Sequence, residues 1–240
     1  MISETAFAQH HSSIWRELIP TSELFVRRIN SELYEREFAP LHSSIDPGRR
    51  GFINEIAFNL FCNWVAQGMS SWKSEPPISE IASCTDLART QISKMERLLP
   101  EAIADPSSSE THDCLFQFYR FQCFFKQQAQ GAPIAVRPHF PGCGIIDTCN
   151  GDVYFSGCLF EIKAGDRGYR SVDLRQLLIY AALNSESHTY PLCSLALFNP
   201  RTGTSFKCPL DALCFEVSGK SSAELLADIV RAISSGDISR

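Results

Sequence analysis

The character of the chain changes at Gly131, and this change limits the folds that are open to it. Before Gly131, apolar residues recur at helical spacing in several long segments separated by prolines and polar runs. After it come short β-rich pieces, an apolar helical segment, two further strands and a final amphipathic helix. This order predicts an α/β protein with a mixed central sheet and a largely helical N-terminal half.

We divide the chain into a mainly helical region, 1–132, and a β-containing core, 133–240. Helical spacing predicts helices in the segments 21–38, 48–69, 77–103, 171–184 and 221–236. The aromatic-rich segment 114–130 fits a buried helix, with a strand as the alternative, and the polar run before it predicts a loop over 105–113. Strands are expected within 133–140, 142–149, 152–157, 158–164 and 192–208.

Net charge, cysteine spacing and hydropathy argue against a generally basic nucleic-acid-binding protein, a zinc ribbon and a membrane protein. The formal net charge of −5 gives no general basic signal for nucleic-acid binding, although a cleft can be locally basic. The chain has 10 cysteines but no C-x-x-C pair, which argues against a zinc ribbon and favours a reducing, cytoplasmic location. The N-terminus, with His10 and His11, resembles neither a signal peptide nor a structured element, and no apolar run is long enough to span a membrane.

Two charges interrupt the apolar strand "CLFEIKA". Residues at i and i+2 of a strand share a face, so Glu161 and Lys163 project together while Phe160 and Ile162 face the opposite way. Burying unpartnered charges is costly. The pair must therefore contact each other, solvent or a ligand such as a metal ion; an exposed ion pair is the simplest alternative.

A second carboxylate is expected near this strand. Asp147 ends the apolar pair of "CGIIDTC", and in a β-meander it can reach Glu161. Two adjacent carboxylates repel each other unless a divalent cation lies between them, and Mg²⁺ needs only one or two protein carboxylates. Asp152 is a weaker candidate, because Asn150 and Gly151 before it predict a hairpin turn, where aspartate is common.

These residues, with a following helix that carries Gln176 and Tyr180 one turn apart, resemble the motif of the PD-(D/E)XK nuclease superfamily. The Q-x-x-x-Y pair is similar to the extra motif of the RecB-type exonuclease branch. The similarity covers about residues 133–210, and Ile146 stands where the name-giving proline would be. The resemblance implies a restriction-endonuclease-like fold, in which helices flank a mixed central sheet.

The resemblance also implies roles for individual residues. Asp147 and Glu161 would be the metal ligands, for Mg²⁺ or Mn²⁺, and Lys163 the catalytic lysine. Gln176 would align Lys163 or the substrate, and Tyr180 would lie at the substrate. A further acidic ligand on the first core helix, within residues 50–68, is expected to be Glu55.

A basic loop follows the motif strand. Arg167, Arg170 and Arg175 lie beside Lys163 in sequence and could hold phosphates, although an ordinary solvated loop has the same composition.

Together the motif and the loop favour a metal-dependent deoxyribonuclease, and the resemblance suggests a role in DNA repair or anti-phage defence. DNA is the expected partner. Because no Walker loop appears, a helicase or ATPase subunit, or a second copy of the chain, is also expected. The alternative is an inactive nuclease fold that serves as a nucleic-acid-binding or assembly subunit. Endonuclease or exonuclease action, and DNA or RNA as the substrate, stay open.

Overall fold

Eight strands form a six-stranded sheet and a separate two-stranded ribbon in the described residues of the computed structural model, which are 1–41, 45–69, 75–96 and 99–235. The strands are β1 Glu35–Arg36, β2 Ala135–Val136, β3 His139–Phe140, β4 Cys149–Asn150, β5 Val153–Phe155, β6 Cys158–Ile162, β7 Ser194–Asn199 and β8 Thr204–Pro209. The order in the large sheet is β1-β8-β7-β6-β5-β2, and β3 pairs with β4. Only β6 and β7 pair in parallel, so the sheet is mixed as predicted.

Helices cover both faces of this sheet. They are α1 Glu4–His10, α2 Ser12–Leu18, α3 Ser22–Arg28, α4 Arg50–Ala66, α5 Ile78–Glu96, α6 Ser108–Ala129, α7 Ser171–Ser187, α8 Leu210–Ser218 and α9 Ser222–Ser234. A π-helical turn, Ile29–Leu33, extends α3, and short 3₁₀ turns occupy Pro47–Arg49 and Pro100–Ala102. The α/β class is therefore confirmed.

Alternation along the central strands separates two hydrophobic cores. Leu159 and Leu197 face the core built with α1–α3 and α7–α9. Phe160 and Phe198 face the second core, which α4–α6 complete with many aromatic rings. Helices from the predicted helical region thus contribute to both cores, and the predicted boundary near residue 132 falls between α6 and β2.

A tight turn fixes the register of the motif strand. Ser156 and Gly157 both have positive φ, 48° and 76°, which suits the two-residue turn that joins β5 to β6. In this hairpin Val153 pairs with Phe160, so the next position outward places Asp152 opposite Glu161. The parallel β7 is reached through α7, which lies over the face that carries Leu159.

The N-terminus is part of the fold, so the expectation of an unstructured terminus around His10 and His11 was wrong. Phe7 and Trp15 are fully buried, and the Trp15 indole donates to the Phe7 carbonyl at 3.0 Å. The Ile2 backbone also pairs with the segment before β4. The N-terminus is therefore ordered by the burial of two aromatic side chains and by these backbone hydrogen bonds, although the residues around them are mostly polar.

Three predicted element boundaries were also wrong. The helix predicted over 21–38 ends by Leu33, because Glu35–Arg36 pairs as a strand with β8. The loop predicted over 105–113 is mostly helix, since Ser107 caps α6 by accepting from the Glu110 amide. Most of 142–149 is loop rather than strand. The predicted end of the last helix at residue 236 lies outside the described residues.

Two further findings concern membrane-spanning helices and the cysteine side chains. In the described part of the chain, no helix combines the length and apolarity needed to cross a bilayer. All 10 cysteines are free thiols. Several of them, such as Cys84, Cys114 and Cys158, are buried as small apolar residues.

Candidate functional site

The end of β6 brings three of the predicted residues together. The Lys163 ammonium group donates to Glu161 Oε1 at 2.8 Å and to Gln176 Oε1 at 2.7 Å. Glu161 is only 4% exposed. The two charges of the motif strand therefore contact each other and the first turns of α7, on the inner side of the sheet rather than in solvent.

Helix α7 is oriented by its first turn. Arg170 is the N-cap residue, and its amide donates to the Asp173 carboxylate at 2.8 Å. Asp173 also accepts two bonds from the Arg167 guanidinium, at 2.8 and 3.0 Å. A buried carboxylate with these partners stabilises the helix N-terminus and lies 3.8 Å from the Lys163 ammonium.

A relay of hydrogen bonds sets the orientation of the Gln176 side chain. Its Nε2 donates to the Tyr180 hydroxyl at 3.0 Å, so its Oε1 faces Lys163. The same amide and the Tyr180 hydroxyl contact Glu4 Oε1 at 3.5 and 3.4 Å. Glu4, at the start of α1, is thus a site residue that sequence reasoning missed, because nothing local in the sequence links the N-terminus to α7.

The carboxylate beside Glu161 belongs to Asp152, not to the predicted Asp147. Asp147 is exposed, and its side chain accepts from the Thr148 amide at 2.9 Å. The charged groups with the largest effects on the pKa of Glu161 are Asp152, Lys163 and Asp173. The Asp152 carboxylate accepts from the Ile162 amide at 2.7 Å, which fixes it across the hairpin from Glu161.

Charge repulsion in this carboxylate pair favours proton or cation binding. Burial, followed by the nearby Asp152 charge, raises the pKa of Glu161 to about 8. Burial also raises the pKa of Asp152 to about 6. Glu161 Oε2 is buried and has no hydrogen-bond partner among the described residues.

This pair fits a hard divalent cation. An unsatisfied buried carboxylate oxygen and two carboxyl groups with raised pKa values gain a compensating charge when an ion binds between them. No group of three or more His, Cys, Asp or Glu side chains in the described ranges forms a preformed metal site. The predicted set of Asp147, Glu161 and Glu55 is therefore not assembled, and Asp152 with Glu161 forms a two-carboxylate site.

Glu55 lies near the pair but has another partner. Glu55 lies on α4 and lines a cavity together with Asp152. The negative charge of Glu55 helps to raise the pKa of Asp152. Its Oε1 accepts from the Arg137 guanidinium at 2.9 Å. Burial raises the pKa of Glu55 more than Arg137 lowers it. Glu55 is thus next to the candidate site, as predicted, but is paired with Arg137, a residue that the sequence did not single out.

Two of the three predicted phosphate-binding arginines have carboxylate partners. Arg167 pairs with Asp173 as described above, and 36% of its side chain stays exposed. Arg175 is 12% exposed in its side chain and contacts the Ala8 carbonyl at 3.2 Å and Glu23 at 3.9 Å. Arg170 is exposed at the start of α7. Of the three arginines, Arg175 is therefore the least accessible to a phosphate group.

No model of a known protein family matches this chain, and a search of characterised proteins finds no significantly similar sequence.

Proposed function

We propose that this chain is a metal-dependent nuclease of the PD-(D/E)XK superfamily that hydrolyses phosphodiester bonds in DNA. The observation that carries the proposal is the pairing of half-buried Asp152 with buried Glu161, which has one unsatisfied oxygen and an ammonium group at its side. A hairpin, a helix and a parallel strand build this site, as expected of a restriction-endonuclease-like fold.

Asp152 and Glu161 would hold the Mg²⁺ or Mn²⁺ ion, with water and a substrate phosphate completing its ligands. Such an ion, when bound, activates water and neutralises charge on the phosphate. The other catalytic roles would belong to side chains that already surround the pair.

Lys163 stabilises charge rather than accepting a proton. Burial lowers its pKa, but Glu161 and Asp173 outweigh this effect and the net direction is upward. The side chain therefore stays an ammonium group at neutral pH. It can donate to the attacking water or to a phosphate oxygen, and Gln176 holds it in the necessary orientation.

The test is cleavage of plasmid and single-stranded DNA with Mg²⁺ or Mn²⁺. We expect Asp152→Asn, Glu161→Ala and Lys163→Ala to lower the rate by about 100-fold or more. Asp147→Asn is the matched control, since this exposed aspartate lies outside the pair and should leave cleavage near the wild-type rate. Equal losses in Asp147→Asn and Asp152→Asn would contradict the assignment of the ligand.

One observation favours the second candidate, a nuclease-fold subunit that binds nucleic acid without cutting it. The described residues contain no preformed site of three metal ligands. Wild-type protein that binds DNA but cleaves neither DNA nor RNA with either metal would establish this alternative. Cleavage of RNA alone would keep the mechanism and change the substrate.

A further inference from the structure

A polar cavity of about 210 Å³ lies against the candidate site and shares Asp152 with it. Glu55 on α4, Gln91 on α5 and Arg137 after β2 line it together with Asp152. A second cavity of about 170 Å³ shares Glu55 and Asp152 with the first. The space beside the carboxylate pair is therefore open enough for part of a substrate.

Arg137 is held in this cavity by its backbone and by its side chain. Its amide donates to the Asp152 carbonyl at 2.8 Å, and its φ of 52° lies in the left-handed region that arginine seldom adopts. Its guanidinium lies over the Phe58 ring at 5.5 Å and donates to Glu55 and Asn59. An unfavourable backbone conformation kept next to a carboxylate pair is typical of a functional position.

The Arg137–Glu55 ion pair is also accessible to solvent, with side-chain exposures of 32% and 28%. Ion pairs of this exposure contribute little stability and exchange partners readily. A phosphate group binds a guanidinium in two parallel hydrogen bonds, as a carboxylate does, and carries at least as much charge. A phosphate that enters the cavity therefore competes directly with Glu55 for Arg137.

We propose that Arg137 binds a phosphate group of the nucleic-acid substrate and thereby releases Glu55 to the cation held by Asp152 and Glu161. The inference rests on the proposed nuclease function. It adds a substrate-binding residue, Arg137, and a coupling between substrate binding and cation binding. In the free protein Glu55 is neutralised by Arg137, so the cation has two carboxylates; with substrate bound it gains a third. Substrate and cation then strengthen each other's binding by the same factor.

The experiment measures Mn²⁺ binding by calorimetry, with and without thymidine bisphosphate, which has phosphate groups but no phosphodiester bond to cut. For the wild type we expect the nucleotide to tighten Mn²⁺ binding by about tenfold. In Arg137→Gln, Glu55 is free from the start, so Mn²⁺ alone should bind more tightly than in the wild type. The factor by which the nucleotide tightens Mn²⁺ binding should be about fivefold smaller in this variant than in the wild type. The tightening that remains comes from direct contact between the metal and a phosphate group.

Glu55→Gln tests the same coupling without touching Arg137, and it should lose the same share of the tightening. The double variant should lose no more than either single variant, because both remove one shared interaction. Arg28→Gln is the matched control, since Arg28 pairs with Glu216 at 2.9 Å on the surface, away from the cavity. It should retain the wild-type coupling.

Two results separate this inference from the proposed function. If the wild type binds no Mn²⁺, both are overturned. If Mn²⁺ binds and requires Asp152, but Arg137→Gln and Glu55→Gln keep the full coupling, only the inference is overturned. Weaker binding of Mn²⁺ alone in Arg137→Gln, or additive losses in the double variant, would likewise assign Arg137 a purely structural role.

Discussion

At the residue scale, the central feature is a pair of carboxyl groups, half-buried Asp152 and buried Glu161, whose charges are not balanced by equal positive charge. Lys163 compensates one oxygen of Glu161, and the Ile162 amide compensates one oxygen of Asp152. The remaining repulsion lowers the stability of the folded chain without metal and favours cation binding. Stability and function should therefore change in opposite directions when one carboxylate is removed.

The first prediction concerns Asp152→Asn in metal-free buffer. A carboxyl group with a raised pKa keeps its proton when folded but loses it when unfolded. The free energy of unfolding therefore falls as pH rises from about 4, the ordinary carboxyl pKa, to the folded-state pKa values of about 6 for Asp152 and about 8 for Glu161. The variant removes one of these groups, so we expect its free energy of unfolding near pH 8 to be about 1–2 kcal/mol higher than that of the wild type.

Urea unfolding at several pH values, with a chelator present, measures this effect. The wild type should lose stability as pH rises from about 5 to about 8, and the variant should lose less. A variant that is less stable than the wild type throughout this range would show that the pair is not repulsive. Asp147→Asn, outside the pair, should follow the wild-type curve.

The second prediction concerns the Gln176 amide. Gln176→Leu keeps the approximate size of the side chain but removes the acceptor of the Lys163 ammonium group. We expect the single-turnover cleavage rate to fall by about tenfold, with Mn²⁺ affinity nearly unchanged, because the metal ligands stay in place. Tyr180→Phe retains the ring that stacks on Phe140 but removes the hydroxyl group that holds the Gln176 amide, so it should show a smaller loss of rate in the same direction. An unchanged rate in Gln176→Leu would contradict the orienting role.

At the element scale, the sequence predicted the motif strand and its helix well but placed the second carboxylate incorrectly. Glu161 and Lys163 were singled out because strand periodicity is local, and Gln176 because it matches the motif that the sequence resembles. Asp152 was assigned to a turn because Asn150-Gly151 is a strong turn signal, whereas Ser156-Gly157 makes the hairpin turn. The pairing of β4 with β3 is a long-range contact that local turn chemistry does not encode.

The third prediction concerns the N-terminus of α6. Glu110 accepts from the Ser107 amide at 2.8 Å and from Arg49 at 2.8 Å, and so joins this helix to the start of α4. The hydrogen bond with Arg49, against an opposing effect of burial, lowers the pKa of Glu110 from 4.5 to about 2. The stabilisation is therefore complete above the unfolded-state value and is lost as pH falls from about 4.5 to about 2.

Glu110→Gln should therefore be less stable than the wild type at neutral pH by about 1–2 kcal/mol, and the difference should shrink as pH approaches 2. Equilibrium unfolding at neutral and acidic pH measures it. Glu101→Gln, an exposed glutamate on the preceding 3₁₀ turn, is the matched control. A difference that stays constant with pH would indicate a packing effect rather than an ionic one.

At the scale of the whole molecule, a buried polar network joins two helices of the second core to the segment beside the site. Arg201 is 1% exposed and pairs with Asp113 on α6, donating through its two terminal nitrogens at 3.1 and 2.6 Å. Its Nε donates to Asn54 on α4 at 2.9 Å, and Asn54 in turn donates to the Ala164 carbonyl at 2.8 Å. The network thus joins α4, α6 and the turn after β7 to the residue that follows Lys163.

The last prediction follows from the burial of this ion pair. Removing one partner leaves the other charge buried and unpaired, so Arg201→Met and Asp113→Leu should each lower the free energy of unfolding by about 3–5 kcal/mol. The double variant should lose clearly less than the sum of the two, because no unpaired charge remains. Urea unfolding of the four proteins measures this cycle. Additive losses would show that the two side chains do not interact. In that case packing, rather than charge pairing, would connect the helices to the segment that holds Lys163.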